Sequence, residues 1–309
     1  VIASAWLNAP PAPVTARIAP LLDSLEHLKL VDGLPARLYD SRSADVLAPP
    51  TGRGARCSPD ELARLLVWLK LLATWVPAQA DAVDRIVGRW HLATAAAEID
   101  GLPEGYARYA RAALRLHGQQ VPEATLRPVL QGDDGLRLPR SASADSWFTS
   151  DPFVLQALEF GDRTPAELRL RAALYDAQRS RSQSLRRLVA AGELGLDRRP
   201  GFAMATLLSP GSSWQTLDGD GQAVASAVDF ASGAAYGWAV LQGDGYADQL
   251  RARVLALDDP RLGLRSGEWR GGKPIEQVDL HTQAMVLEAV LYRSRGGQRL
   301  LADAAGSTP

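Results

Sequence analysis

Any hydrolytic chemistry in this chain would rest on its carboxylates. Cleaving a glycosidic bond takes two carboxyl groups that flank the bond, one of them able to hold a proton near neutral pH. Asp40, Glu61, Asp151, Glu193 and Glu268 stand where such a site could form. Each precedes or opens a segment that reads as a buried helix, or lies in a long loop before one, so all five can share one rim. The competing role is capping: Asp and Glu in a first helical turn complement the helix dipole and its free N–H groups, worth roughly 0.5–2 kcal/mol. Glu61, three residues after Ser58, fits a capping box. Asp151, ahead of Pro152, suits either role. Glu193 and Glu268 lie among glycines without an evident capping duty, which leaves a site role or a solvated loop charge. Glu159 and Glu288 are lone charges in apolar stretches; mid-helix, they are expected to make structural hydrogen bonds.

Aromatic rings add a binding surface. Trp147, Trp214, Trp238 and Trp269 fall in or beside the same loops, and flat apolar rings stack on sugars. With Tyr236 and Arg270 they form the expected substrate-binding set. Trp68, Trp75 and Trp90 are expected in the core. A guanidinium beside a carboxylate keeps it ionised. The proton donor is therefore expected away from Arg270, at Asp151 or Glu193 rather than at Glu268.

Other chemistries find less support. His27, His91, His117 and His281 lack the HxxxH and HExxH spacings, so no metal site is expected. No G-x-S-x-G nucleophile elbow occurs, and no cofactor is expected. Asp218–Gly221 imitates the start of a calcium loop but lacks its later ligands, and reads as a turn. The lone Cys57 excludes an intrachain disulfide and a multi-cysteine metal site. The basic run QRSRSQSLRR at 178–187 reads as a solvated helix end, with an anionic glycan or partner as the alternative.

The elements that must position these residues are mostly helical. Amphipathic or apolar spacing predicts helices over 19–30, from Pro59 to Val76, and over 79–92, 103–117, 123–130, 150–160, 164–182, 232–242, 245–256 and 280–293. Ser58-Pro59-Glu61 and Thr164-Glu167 are capping signals. Pro10–Pro13 reads as a break, with Pro20 in a first turn. Helices apolar nearly all round alternate with amphipathic ones. That alternation fits a single (α/α) toroid over residues 1–309, built of about six helical hairpins, the first and last incomplete. Inner helices would start near 58, 150, 232 and 280, and outer ones near 79, 164 and 245. The long connections 131–148 and 186–231 are candidates for function; the second contains strand-like FAMATLL and AVASAVDF.

With 309 residues, 46% hydrophobic, 22% charged and a formal net charge of -1, the chain is an ordinary globular one. Affinity for nucleic acid phosphate is not expected without a basic excess. Of 34 basic residues only Lys29, Lys70 and Lys273 are lysine, a mark of codon supply rather than function. The most apolar stretch, 61–76, is broken by Arg64 and Lys70 and is too short for a bilayer span.

Six segments occur in an order that carries a resemblance: LYDS at 38–41, ELARLLVWLKLL at 61–72, GYARYARAALRLHG at 105–118, TSDPFVLQALEFG at 149–161, SGAAYGWAVL at 232–241 and HTQAMVLEAVLYRSRG at 281–296. Together they resemble an uncharacterised bacterial domain family, linked to envelope and exopolysaccharide loci and similar in fold to the six-hairpin glycosidases. The resemblance implies a toroid with a carbohydrate-sized cleft, a polysaccharide or oligosaccharide as ligand, exopolysaccharide secretion-complex proteins as partners, and a periplasmic or secreted location. Several polar positions depart from the family pattern, among them Arg56-Cys57, Glu61, Gly233, Arg270 and Gln283. Two functions are therefore expected: a glycoside hydrolase or transglycosylase acting on exopolysaccharide, or an inactive glycan-binding or scaffold component.

Overall fold

The computed structural model describes residues 11–49, 54–122, 127–131, 136–140, 147–162, 164–209, 212–225 and 227–301. Ten α-helices and a set of short strands occur among them, so the protein is mostly α. Among the described residues no helix is long and apolar enough to cross a membrane. The chain divides into two compact units, residues 1–102 with 106–124, and residues 103–105 with 125–309.

The first unit holds α1 (Pro11–His27), α2 (Pro59–Trp75), α3 (Ala80–Gly88), α4 (Leu92–Glu98) and most of α5 (Glu104–Leu116). The expected start of α1 at residue 19 is too late. Ile18 and Leu22, one helical turn apart, are its fully buried pair, and Pro20 sits inside the helix. That proline lies on the exposed face, where the missing N–H is tolerated. The α2 start agrees with its sequence signal: Pro59 is in the first turn and the Glu61 carboxylate accepts the Ser58 N–H at 2.8 Å. Leu62, Leu66, Leu69 and Leu72 are fully buried along α2. On α5, Tyr106, Tyr109, Ala110, Ala113 and Leu114 are buried as their spacing predicts. Arg111 on the same helix is also buried, paired with Asp100.

The second unit holds α6 (Asp151–Glu159), α7 (Pro165–Leu185), α8 (Ser232–Leu241), α9 (Gly245–Ala256) and α10 (Leu280–Ser294). Where a short helix was expected near 123–130, residues 127–131 form a strand antiparallel to 137–140; residues 123–126 lie outside the described set. The strand-like pieces in 186–231 are strands: Phe202–Ala205 is the centre of a three-stranded sheet with Glu193–Gly195 and Thr216–Leu217, and Val228–Ala231 pairs with Gly267–Trp269. Asp218–Gly221 is a turn, with the Asp218 carbonyl accepting the Gly221 N–H at 3.0 Å.

Helices α6, α8 and α10 pack on one another, and α9 packs along α8. The close approach of α6 and α8 depends on Gly237, where an added Cβ would lie 2.3 Å from Val154 Cγ1. A buried polar bracket locks the same region. Trp238 Nε1 donates to Ser150 Oγ at 2.9 Å, and Ser150 Oγ donates to Gln178 Oε1 at 3.2 Å. Gln178 Oε1 also accepts the Ala191 N–H at 2.8 Å. One amide of α7 thus joins α6, α8 and the segment leading to Glu193.

Candidate functional site

Asp151 is the first residue of α6 and His281 the second of α10. His281 Nε2 lies 2.9 Å from Asp151 Oδ1. The first turn of α8 closes the same corner: a Cβ on Gly192 would fall within 2.9 Å of both Ala231 and Ala234 Cβ and of Asp151 Oδ2. Only a glycine leaves room there for the strand to pass. The three apolar helices therefore enter from a common end, and their N-terminal dipoles favour negative charge at that point. Glu193 reaches it from the sheet. Its N–H donates to Asp151 Oδ2 at 2.8 Å, and its Oε2 is 3.7 Å from His281 Nε2.

Two further contacts fix the strand. Thr149 Oγ1 donates to the Ala205 carbonyl at 3.0 Å. Asp279 caps α10 by accepting the Thr282 N–H at 2.7 Å, while its other oxygen accepts the Gly195 N–H at 3.1 Å.

Burial sorts the three groups by role. Asp151 is fully buried and Glu193 is 6% exposed, whereas the His281 side chain is 23% exposed. Water and ligand therefore meet the cluster through the imidazole. At a helix N-terminus, the Asp151 carboxylate accepts the Glu193 N–H with one oxygen and faces His281 Nε2 with the other, and so orients the ring. In the tautomer that donates Nε2–H to Asp151, Nδ1 carries the lone pair. One donor atom from each of Asp151, Glu193 and His281 lies within 4.8 Å of the others, a set able to surround a divalent cation. The 2.9 Å Nε2–Oδ1 separation is a hydrogen-bond distance, shorter than the ~3.3 Å between neighbouring ligands of a tetrahedral zinc ion with 2.0–2.1 Å bonds.

Of the five expected carboxylates, the structure brings Asp151 and Glu193 together. Glu268 lies on Gly267–Trp269 and is paired with Arg253, which raises the pKa of that arginine. In the first unit, Glu61 caps α2 and accepts from Arg37 Nη1 at 2.9 Å. Asp40 folds a surface turn: the Ser43 and Arg42 N–H groups hold its carboxyl below the usual carboxylate range.

The binding set is similarly divided. Trp238 and Tyr236 are buried in α8. Trp269 is 7% exposed, with Arg198 over its ring at 3.6 Å. Trp147 and Trp214 are half-buried. Trp214 holds a left-handed backbone at φ 58° beneath Arg181, a conformation that costs a bulky residue energy and recurs at functional sites. Arg270 pairs with Asp229 at 3.0 Å.

His281 stands in none of the HxxxH or HExxH spacings, so metal-ligand spacing does not mark it. The available signal was a lone histidine in the first turn of an apolar helix.

No curated protein and no solved structure matches the chain. The model of a family described only as protein of unknown function (DUF3131) matches residues 2–296, and the chain belongs to that family.

Proposed function

We propose that this chain acts on glycan, hydrolysing or transferring a glycosidic bond at Glu193 and His281 with Asp151 behind them. The observation that carries the proposal is the convergence of two carboxylates and an imidazole from three separate elements, with donor atoms within 4.8 Å. The Asp151 and Glu193 donor atoms lie within 4.8 Å, closer than the about 5–9.5 Å between two carboxyl groups that both serve one glycosidic bond; Asp151 therefore serves the imidazole, and Glu193 and His281 the bond. Glu193 gives its proton to the departing glycosidic oxygen as the C1–O bond breaks. His281 Nδ1 takes a proton from the attacking water as the new C1–O bond forms, and Asp151 stabilises the resulting imidazolium. Proton return from His281 to Glu193 resets the site. The ring of about six hairpins belongs to the same proposal, with α6, α8 and α10 inside and α7 and α9 outside; their packing and common entry end support it. An exopolysaccharide substrate, secretion-complex partners and a periplasmic or secreted location rest on the family resemblance.

The test is reducing-end release from the host's own polysaccharide. Glu193→Gln and His281→Gln are expected to lower turnover by about 10²–10⁴-fold, the usual worth of general acid–base catalysis, with the melting temperature retained. Unchanged turnover in both variants overturns the mechanism.

Binding without turnover is favoured by a specific observation: Asp151 has no exposed surface, and Arg253 and Arg198 occupy Glu268 and Trp269. A parent protein with no turnover, and with glycan binding that Trp214→Ala abolishes, supports that second reading.

A further inference from the structure

A second concavity in the same unit is unrelated to Asp151. It is a cavity of about 640 Å³ between the C-terminal end of α7 and the start of α9, whose lining includes Arg179, Gln183, Arg186, Arg187, Asp244 and Gln249. That volume falls within the roughly 300–1,000 Å³ of ligand pockets.

Of its three arginines, Arg179 pairs with Asp176 and Asp244 and Arg187 with Asp229, which leaves Arg186 as the guanidinium without an ion pair among the described residues. Asp244 is already committed: it accepts from Tyr175 Oη at 2.5 Å, from Arg179 Nη1 at 3.0 Å and from the Ala247 N–H at 2.9 Å. Burial opposes its ionisation, but these donors win and hold its carboxyl below the usual range. Arg187 pairs with Asp229, which Arg270 also engages; its Nε is buried with no hydrogen-bond partner. Arg186 is exposed and has no ion pair among the described residues. It sits at the left-handed α7 terminus, φ 52°, so the chain turns there and both consecutive arginines line the cavity. Helix-end arginines complement the dipole of α7, but that duty does not explain a concave wall with an unpaired guanidinium and side-chain amides beside it. The basic run also continues to Arg181, whose guanidinium lies 5.4 Å over the Trp214 ring. Guanidinium groups converging on a pocket suit an oxyanion, to which they donate paired N–H bonds.

We propose that this pocket is an anion subsite that takes the carboxylate or sulfate group of an acidic oligosaccharide, and so anchors a charged glycan away from Glu193 and His281. The choice of a sugar as carrier of the oxyanion rests on the glycan reading above; the oxyanion site itself does not.

The experiment is calorimetric titration of the intact chain with oligogalacturonate, with a neutral malto-oligosaccharide and inorganic phosphate as separate arms. Binding of the uronate oligomer is expected, weakening as salt rises because exposed charge pairs are screened over about 8–10 Å. Arg186→Ala is expected to weaken it about tenfold, the scale of one charge-assisted hydrogen bond, with Arg186→Lys recovering part of the loss. Arg186 is exposed, so both variants should keep the parent melting temperature. Glu193→Gln should leave this affinity unchanged, which separates the subsite from the proposed reaction. Equal binding of the neutral oligomer, no uronate binding, or an unaltered affinity in Arg186→Ala overturns the proposal. Phosphate binding as tight as the uronate oligomer overturns the glycan assignment and leaves a free-oxyanion site. Arg186-dependent uronate binding in a protein without turnover sustains the subsite while the hydrolase reading fails.

Discussion

At the scale of single residues, environment decides what each side chain does. Cys57 is buried, and burial, with Glu61 nearby, pushes its thiol up to about 12. Thiolate is the reactive form, so Cys57 is expected to resist a thiol reagent at pH 8 in the folded protein. It should react within minutes in denaturant; rapid labelling of the native chain would contradict its placement. The candidate site was legible in part for the same reason. Asp151 and Glu193 were readable because a carboxylate in front of a buried helix or among glycines needs a reason to be there. Glu61 was readable as a cap because Ser58 and Pro59 announce one locally. The partnership of His281 with Asp151 spans 130 positions, and no local spacing encodes it. Arg253 and Arg198, which occupy Glu268 and Trp269, were hidden likewise: they come from other segments, and pairing across segments depends on the fold.

At the scale of elements, the helices with both a cap and an apolar pattern were read well, and the failures lie where one signal was missing. Thr164 accepts the Glu167 N–H at 3.2 Å, and α7 begins where its capping box places it. Helix α1 has no such signal, and Pro20, a residue that suits a first turn, points to a start later than the observed Pro11. Residues 123–130 read as helix in the sequence, yet 127–131 form a strand because their register is set by the partner strand at 137–140, and pairing of that kind outweighs propensity. The packing of α6 on α8 gives a direct test. Gly237→Ala places a methyl 2.3 Å from Val154 Cγ1. Overpacking of this sort costs about 1–3 kcal/mol, more than the helix propensity that alanine would restore. A denaturant midpoint at or above the parent value would refute the close approach of the two helices.

At the scale of the whole molecule, a near-neutral net charge leaves pH dependence to particular buried groups. His117 Nε2–H donates to the Leu66 carbonyl at 3.0 Å, and burial lowers its pKa. The unfolded chain takes up a proton near pH 6.5 that the folded chain resists. Stability from this group is therefore complete above that pH and declines as the solution is acidified through it. Between pH 7.5 and 5.5 the melting temperature should fall, and His117→Gln should flatten part of that fall; an identical slope in the variant would acquit His117. The Gln178 bracket has a consequence on another clock. Its Oε1 receives the Ala191 amide while the same side chain is tied to Ser150 and, through it, to Trp238. Freeing that one amide for solvent deuterium requires three segments to part together. Ala191 should then rank among the last backbone protons of its unit to exchange, and Gln178→Ala should move it into the company of the surface loops.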